Sequence, residues 1–167
     1  GLRELINVTK VFVVAVDNEC KELLFLCQKS LAGEPEIHCV NLSSVNGRKR
    51  ELFSYVFSKE TQAASTFSDP LTYLYEPNAS ILKSGAFKSI GQKFNLSKIQ
   101  INTHLYTSDN VVPDFPGRIF KVIAINPKAD QLKVIFDGGQ ANVITRNYSL
   151  TPDELKKKLK LKDGGEN

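Results

Sequence analysis

The sequence predicts an α+β fold in two small domains, on three observations. Short apolar runs of strand length recur along the chain, beginning with VFVVAV at 11–16. Helix starts with explicit capping residues are interleaved with them, at Asn78 and Thr151. A polar stretch of small residues, SKETQAASTFSDP at 58–70, divides the chain. The expected domains are residues 1–65 and 70–167.

In the first domain, VFVVAV reads as a valine-rich strand. Asn18 is placed to cap a following helix, with Glu19 and Glu22 in its first turn. Cys20, Leu23, Leu24, Cys27 and Leu31 fall at i, i+3, i+4, i+7 and i+11, which puts both cysteines on an apolar helix face. Gly33 and Pro35 end that helix. IHCVNLS (37–43) alternates as a strand, Asn46-Gly47 signals a turn, and ELFSYVFS (51–58) is the returning strand. The order β-α-β-β matches a ferredoxin-like unit lacking its last helix.

In the second domain, Asn78 caps a helix over 79–94 that buries Leu82, Ala86, Ile90 and Phe94. HLYTS (104–108) is short and ambiguous. A β-meander follows: RIFKVIAI (118–125), QLKVIF (131–136), a hairpin turn at DGG (137–139), and ANVITR (141–146). The last helix opens on a capping box, with Thr151 at the N-cap, Pro152 at N1 and Glu154 at N3. Leu155, Leu159 and Lys158 form its narrow inner face; Lys156, Lys157 and Lys160 point outward. Acids at its start and lysines at its end suit the helix dipole, which alone accounts for much of this charge pattern.

Composition narrows the classes. At 41% hydrophobic and 24% charged the chain is ordinary globular material. No apolar run approaches the ~20 residues needed to cross a bilayer, and no membrane partner is expected. Three cysteines argue against a disulfide framework, so a cytoplasmic setting is expected. The absence of methionine reads as the mark of a fragment of a longer protein. Net charge is +4, unevenly spread: residues 1–76 hold 8 basic against 10 acidic residues, residues 77–167 hold 14 against 8. The basic half suits a polyanionic partner.

Catalytic motifs are absent: no GxGxxG, Walker loop, HExxH or GxSxG occurs. His38 and Cys39 are neighbours on a strand and face opposite ways, and His104 has no ligand partner at a recognisable spacing, so no metal site is expected. Cys20 and Cys27 read as core. Phe53, Tyr55 and Phe57 share a strand face, as stacking aromatics do in RNA-recognition motifs. Glu51 and Leu52 occupy the places of the basic residue and glycine that should precede them, so core packing is the expected role. The basic residues Lys83, Lys88, Arg118, Arg146 and the terminal lysines are left as candidates for tracking a phosphate backbone.

Three segments carry a resemblance. YEPNASILKSGAF (75–87) and VITRNYSLTPDELKKKLKLKDGG (143–165) resemble the C-terminal region of a group of class I SAM-dependent methyltransferases common in Bacteroidetes, which carry a THUMP-like domain. VDNECKELLFL (16–26) resembles the ferredoxin-like segment that joins the two parts in such proteins. The resemblance implies a ferredoxin-like β-α-β-β unit followed by a small THUMP-like α/β domain with a β-meander and a C-terminal helix. It also implies a catalytic Rossmann-like domain, holding S-adenosylmethionine, upstream in the same polypeptide. This chain shows no such Gly-rich loop, so no cofactor is expected in it.

THUMP domains in general are associated with structured RNA, notably tRNA. The expected function is therefore a non-catalytic RNA-binding module that positions substrate for the upstream domain. Lys83, Lys88, Arg146, Lys156, Lys157 and Lys160 would contact phosphates, and Asn147 would hydrogen-bond backbone or base. The alternative is an intramolecular or protein-partner docking module that binds no nucleic acid.

Overall fold

In the computed structural model, residues 7–29, 33–44 and 49–164 are described. Their packing divides the chain between Val122 and Ile123. The break expected near 60–70 is not where the chain divides. Residues on both sides of it share one apolar cluster, which runs from Val8, Val11 and Val13 through Phe53 and Tyr55 to Tyr75, Ile81, Tyr106 and Phe115.

The first unit opens with a four-stranded sheet in the order β2-β1-β3-β4. Its strands are β1 (Val8–Val16), β2 (Glu19–Cys27), β3 (Glu36–Leu42) and β4 (Arg50–Val56). β1 alternates as its valines require: Val8, Val11, Val13 and Ala15 are buried, and the residues between them are half-buried. The β3–β4 hairpin follows the sequence expectation; its Asn46-Gly47 turn lies outside the described residues.

β2 corrects that expectation, since residues 19–27 form a strand antiparallel to β1 and the unit begins β-β-β-β. Asp17 and Asn18 both take positive φ, at 48° and 63°. That two-residue primed turn reverses the chain with the twist a hairpin needs. The helical spacing of Cys20, Leu23, Leu24 and Cys27 competes with this hairpin and loses; Leu31 lies outside the described residues. Asn18 still caps a helix, but a distant one: its Oδ1 accepts from the Ala79 backbone N–H at 2.7 Å.

Residues 58–70, expected as a linker, begin as helix α1 (Phe57–Gln62). Buried Glu60 accepts from the backbone N–H groups of Lys88 at 2.9 Å and Ser89 at 2.8 Å. The helix expected over 79–94 is two helices, α2 (Ala79–Ser84) and α3 (Ser89–Phe94). Gly85 at φ 85° ends the first, as a left-handed glycine does at a helix C-terminus. Asn78 caps α2 as read from the sequence, with its Oδ1 accepting from Ser80 N at 3.1 Å and Ile81 N at 3.2 Å.

Three side chains from the first sheet tie it to α2. Tyr55 donates to Ser84 O at 2.7 Å, Cys20 to Ala79 O at 3.2 Å, and Cys39 to Ser84 Oγ at 3.1 Å. Phe53 and Tyr55 are core residues, as expected, whereas Phe57 lies exposed on α1.

A second sheet, ordered β6-β7-β5-β8, completes this unit. It comprises β5 (Tyr73–Pro77), β6 (Ser97–Lys98), β7 (Tyr106–Ser108) and β8 (Gly117–Lys121). Tyr75 and Tyr106 are fully buried and both hydroxyls are satisfied: Tyr75 donates to Asn110 O and Tyr106 to Phe87 O.

His104 stacks on Phe87 with ring centroids 3.7 Å apart, and its buried Nδ1 has no hydrogen-bond partner among the described residues. Burial, then the charge of Lys98, lowers its pKa below the ordinary 6.5. The folded state therefore favours the neutral ring, while the unfolded chain takes up a proton below about 6.5. This contribution to stability is full above that pH and is lost as pH falls through the lowered folded value. The thermal midpoint is expected to drop between pH 7.5 and 5.5, and His104→Phe to remove that part of the slope. Identical slopes for the two proteins would refute this role.

Residues 123–164 form the second unit. Of the expected meander only the first strand forms, as β8. QLKVIF lies mostly in helix α4 (Ala129–Ile135), because the backbone N–H of Lys128 is capped by Gln131 Oε1 at 2.8 Å. Asp137–Gly139 is a 3₁₀ turn rather than a hairpin turn, and no strand forms over 141–146. Helix α5 (Pro152–Leu159) starts as the capping box dictates. Two hydrogen bonds return the chain after it to residues 139–141: Ala141 N donates to Lys162 O at 3.0 Å and Lys162 N to Gly139 O at 2.8 Å.

Candidate nucleic-acid interface

The basic segment of the second unit is built outward from α5. Thr151 Oγ1 accepts from Glu154 N at 3.3 Å, and Glu154 Oε2 accepts from Thr151 N at 2.8 Å. The bond from the Thr151 backbone N–H, and then one from its hydroxyl at 2.8 Å, hold the Glu154 carboxyl below its ordinary range. At the other end Lys160 sits in the left-handed region at φ 57°, while its N–H and that of Leu161 close on Lys157 O and Lys156 O. Both helix ends are thus satisfied locally.

The half-buried face of the helix is Leu155, Lys156 and Leu159; Lys158 is exposed. This corrects the expected orientation of Lys156, whose side chain is only 14% exposed. Its ammonium sits between Asp153 at 2.9 Å and Asp163, which follows the helix. Bonds to Asp163 and then Asp153 raise the pKa of Lys156, and the bond from Lys156 lowers that of Asp153. Lys156 fastens the segment after α5 to the helix.

Lys157, Lys158, Lys160 and Lys162 are exposed, as are Arg146 and Asn147. Arg146 donates to Thr145 O at 3.1 Å, and Asn147 turns the chain at φ 51°. The second unit therefore carries Arg146, Asn147, Lys157 and Lys160 in one basic segment, together with Lys158 and Lys162 from the same terminal run of lysines. Lys83 and Lys88 belong to the first unit. Lys83 is exposed on α2; Lys88 is half-buried at the start of α3 and donates to Thr61 O at 3.3 Å. Arg118 is committed to buried Glu76. Among the described residues no three His, Cys, Asp or Glu side chains converge as a metal site would require, and no helix is long and apolar enough to cross a membrane.

Comparison with known proteins places these elements. Residues 73–116 match the family model of a ferredoxin-like domain, and residues 117–167 that of a THUMP-like domain. The chain carries both domains. The sequence reading placed the ferredoxin-like domain at 1–65, upstream of the matched segment. The boundary at 116/117 falls inside a sheet: β8, the first strand of the THUMP-like segment, pairs with β5 of the ferredoxin-like one. The chain is also similar to the crystal structure of a candidate methyltransferase from Porphyromonas gingivalis W83, with 34% identity and a TM-score of 0.87. That match covers 99% of this chain, which spans 42% of the other. No curated protein matches the chain.

Proposed function

We propose that the chain is an RNA-binding, substrate-positioning module of a SAM-dependent methyltransferase, whose catalytic domain belongs to a longer polypeptide like the Porphyromonas protein. The observation that carries this reading is the exposed basic segment on the THUMP-like domain, Arg146 to Lys162 around α5. Lys157 and Lys160 contact phosphates, as do Arg146 and, from the first unit, Lys83 and Lys88. Asn147 hydrogen-bonds backbone or base. Lys156, already between two aspartates, acts as a positioning residue. Phosphate contacts of this kind set affinity and register without reading sequence. Structured RNA of the tRNA kind is the proposed partner, S-adenosylmethionine is the cofactor of the catalytic domain, and the cytoplasm is the proposed location.

The test is binding to bulk bacterial tRNA at several salt concentrations. Affinity should fall steeply with salt, since each neutralised phosphate releases counterions. Lys157→Ala/Lys160→Ala should weaken binding at every salt and reduce the slope of log K against log salt by roughly 1–2. Lys156→Ala should lower the stability of the second unit more than it lowers affinity. Absence of binding at low salt would overturn the reading.

One observation favours docking as a second reading. β2 is an edge strand that exposes Leu23, Leu24, Phe25 and Leu26 on both of its faces. So continuous an apolar run suits a strand covered on both sides.

A further inference from the structure

The first unit contains a pocket of about 280 Å³ between α3, β6 and the segment 64–66. Its polar lining is Ser65, Thr66, Lys88, Gln92, Asn95 and Lys98, and the ring of Tyr106 forms part of the wall. Lys98 is the unusual member, because it is only 5% exposed. A lysine this enclosed normally has a carboxylate partner.

Here the ammonium donates to Ile101 O at 3.0 Å, and among the described residues no carboxylate forms an ion pair with it. One of its three donors is thus accounted for. Glu60 is the acid whose charge acts on it. Each Glu60 oxygen accepts one backbone N–H, from Lys88 and from Ser89. Lys88 adds a second ammonium to the lining. The Tyr106 hydroxyl is turned to Phe87 O, and the Thr66 and Ser97 hydroxyls bond one another at 3.0 Å. The cavity is thus lined by two lysines, two side-chain amides and hydroxyls, and its buried lysine forms no ion pair among the described residues, with Glu60 acting on it only at longer range.

We propose that this cavity binds a phosphoryl group, with Lys98 as its buried counter-charge and Lys88 closing on it from the rim. Gln92 and Asn95 supply neutral donors. The volume is close to the ~300 Å³ at which ligand pockets begin, ample for a phosphate and part of its ester. Such a group could come from a free phosphate ester or from the phosphorylated end of a nucleic acid. The site is built from the first unit's own residues and shares only Lys88 with the RNA-binding reading, so Lys98→Met tests it separately.

The test is a titration of the isotope-labelled chain with inorganic phosphate against a constant chloride background. The expected result is saturable binding, with amide shifts at Ser65, Thr66, Gln92 and Asn95. Lys98→Met should weaken binding at least tenfold and Lys88→Ala a few-fold, while Lys121→Ala, on exposed β8, changes nothing. Competition by a 5′-phosphorylated oligoribonucleotide but not by its 5′-hydroxyl form would assign the site to a nucleic-acid end. Phosphate binding with competition by neither would assign it to a free ester. No saturable phosphate binding, or shifts confined to the second unit, would overturn the proposal, as would a folded Lys98→Met chain binding like wild type. The wild-type shift pattern decides the matter even if Lys98→Met does not fold.

Discussion

Gly117→Ala is expected to be the most destabilising glycine-to-alanine change among the described glycines. Gly117 begins β8 and lies opposite Pro77 of β5. A Cβ there would lie 2.9 Å from Pro77 Cα and 3.0 Å from Asn78 N, and would overlap the carbonyl oxygen of Glu76. All three are backbone atoms, so no rotamer change relieves the clash, and β8 must move off β5. Overpacking of this kind costs about 3 kcal/mol or more. In a chain of this length that lowers the thermal midpoint by roughly 6–12 °C. Gly33→Ala is the control, because nothing lies within 4 Å of the Cβ added there. A midpoint for Gly117→Ala within 2 °C of wild type would refute the packing argument. Since Gly117 is the first residue of the THUMP-like segment, the variant also tests whether that segment depends on the ferredoxin-like sheet it joins.

The second large effect is expected at Asn78. This buried side chain caps α2 and also donates from Nδ2 to Glu51 Oε2 at 3.0 Å, where Asn41 Nδ2 arrives at the same distance. One amide thus joins the start of α2 to β4. Asn78→Ala loses a cap, about 1 kcal/mol, and leaves buried polar groups unpaired, about 1–3 kcal/mol. The expected total is roughly 2–4 kcal/mol by chemical denaturation. Asn78→Asp separates the two contributions. It keeps the acceptor for Ser80 and Ile81 but sets a second carboxylate against Glu51. If Asn78→Asp proved as stable as wild type near neutral pH, the link to β4 would carry no weight.

The elements that were legible in the sequence are those decided locally. β1, β3 and β4 announce themselves through valine content and alternation, and α5 through a capping box whose partners are three residues apart. The family resemblance and the α+β class were legible too, the former from motifs at 75–87 and 143–165. What failed was settled by competition or by distance. Cys20 to Cys27 fits a helix period and a strand equally, and the Asp17-Asn18 turn tips the balance. QLKVIF has a strand's composition, yet the cap at Lys128 makes it a helix. The inner face of α5 depends on Asp163 beyond its end, so Lys156 could not be told from Lys158 by spacing alone. Lys98 gave no signal at all, because segment 64–66, more than thirty residues upstream, encloses it.

The three thiols form a native labelling scheme. Burial pushes Cys39 up to about 11 and raises Cys20 as well. Near pH 7 the reactive thiolate of Cys39 is then only about one part in ten thousand. Cys27 stands exposed at the end of β2. A maleimide dye added to the unmodified chain would attach there first, placing a fluorescent reporter on the edge strand without a cysteine-free background.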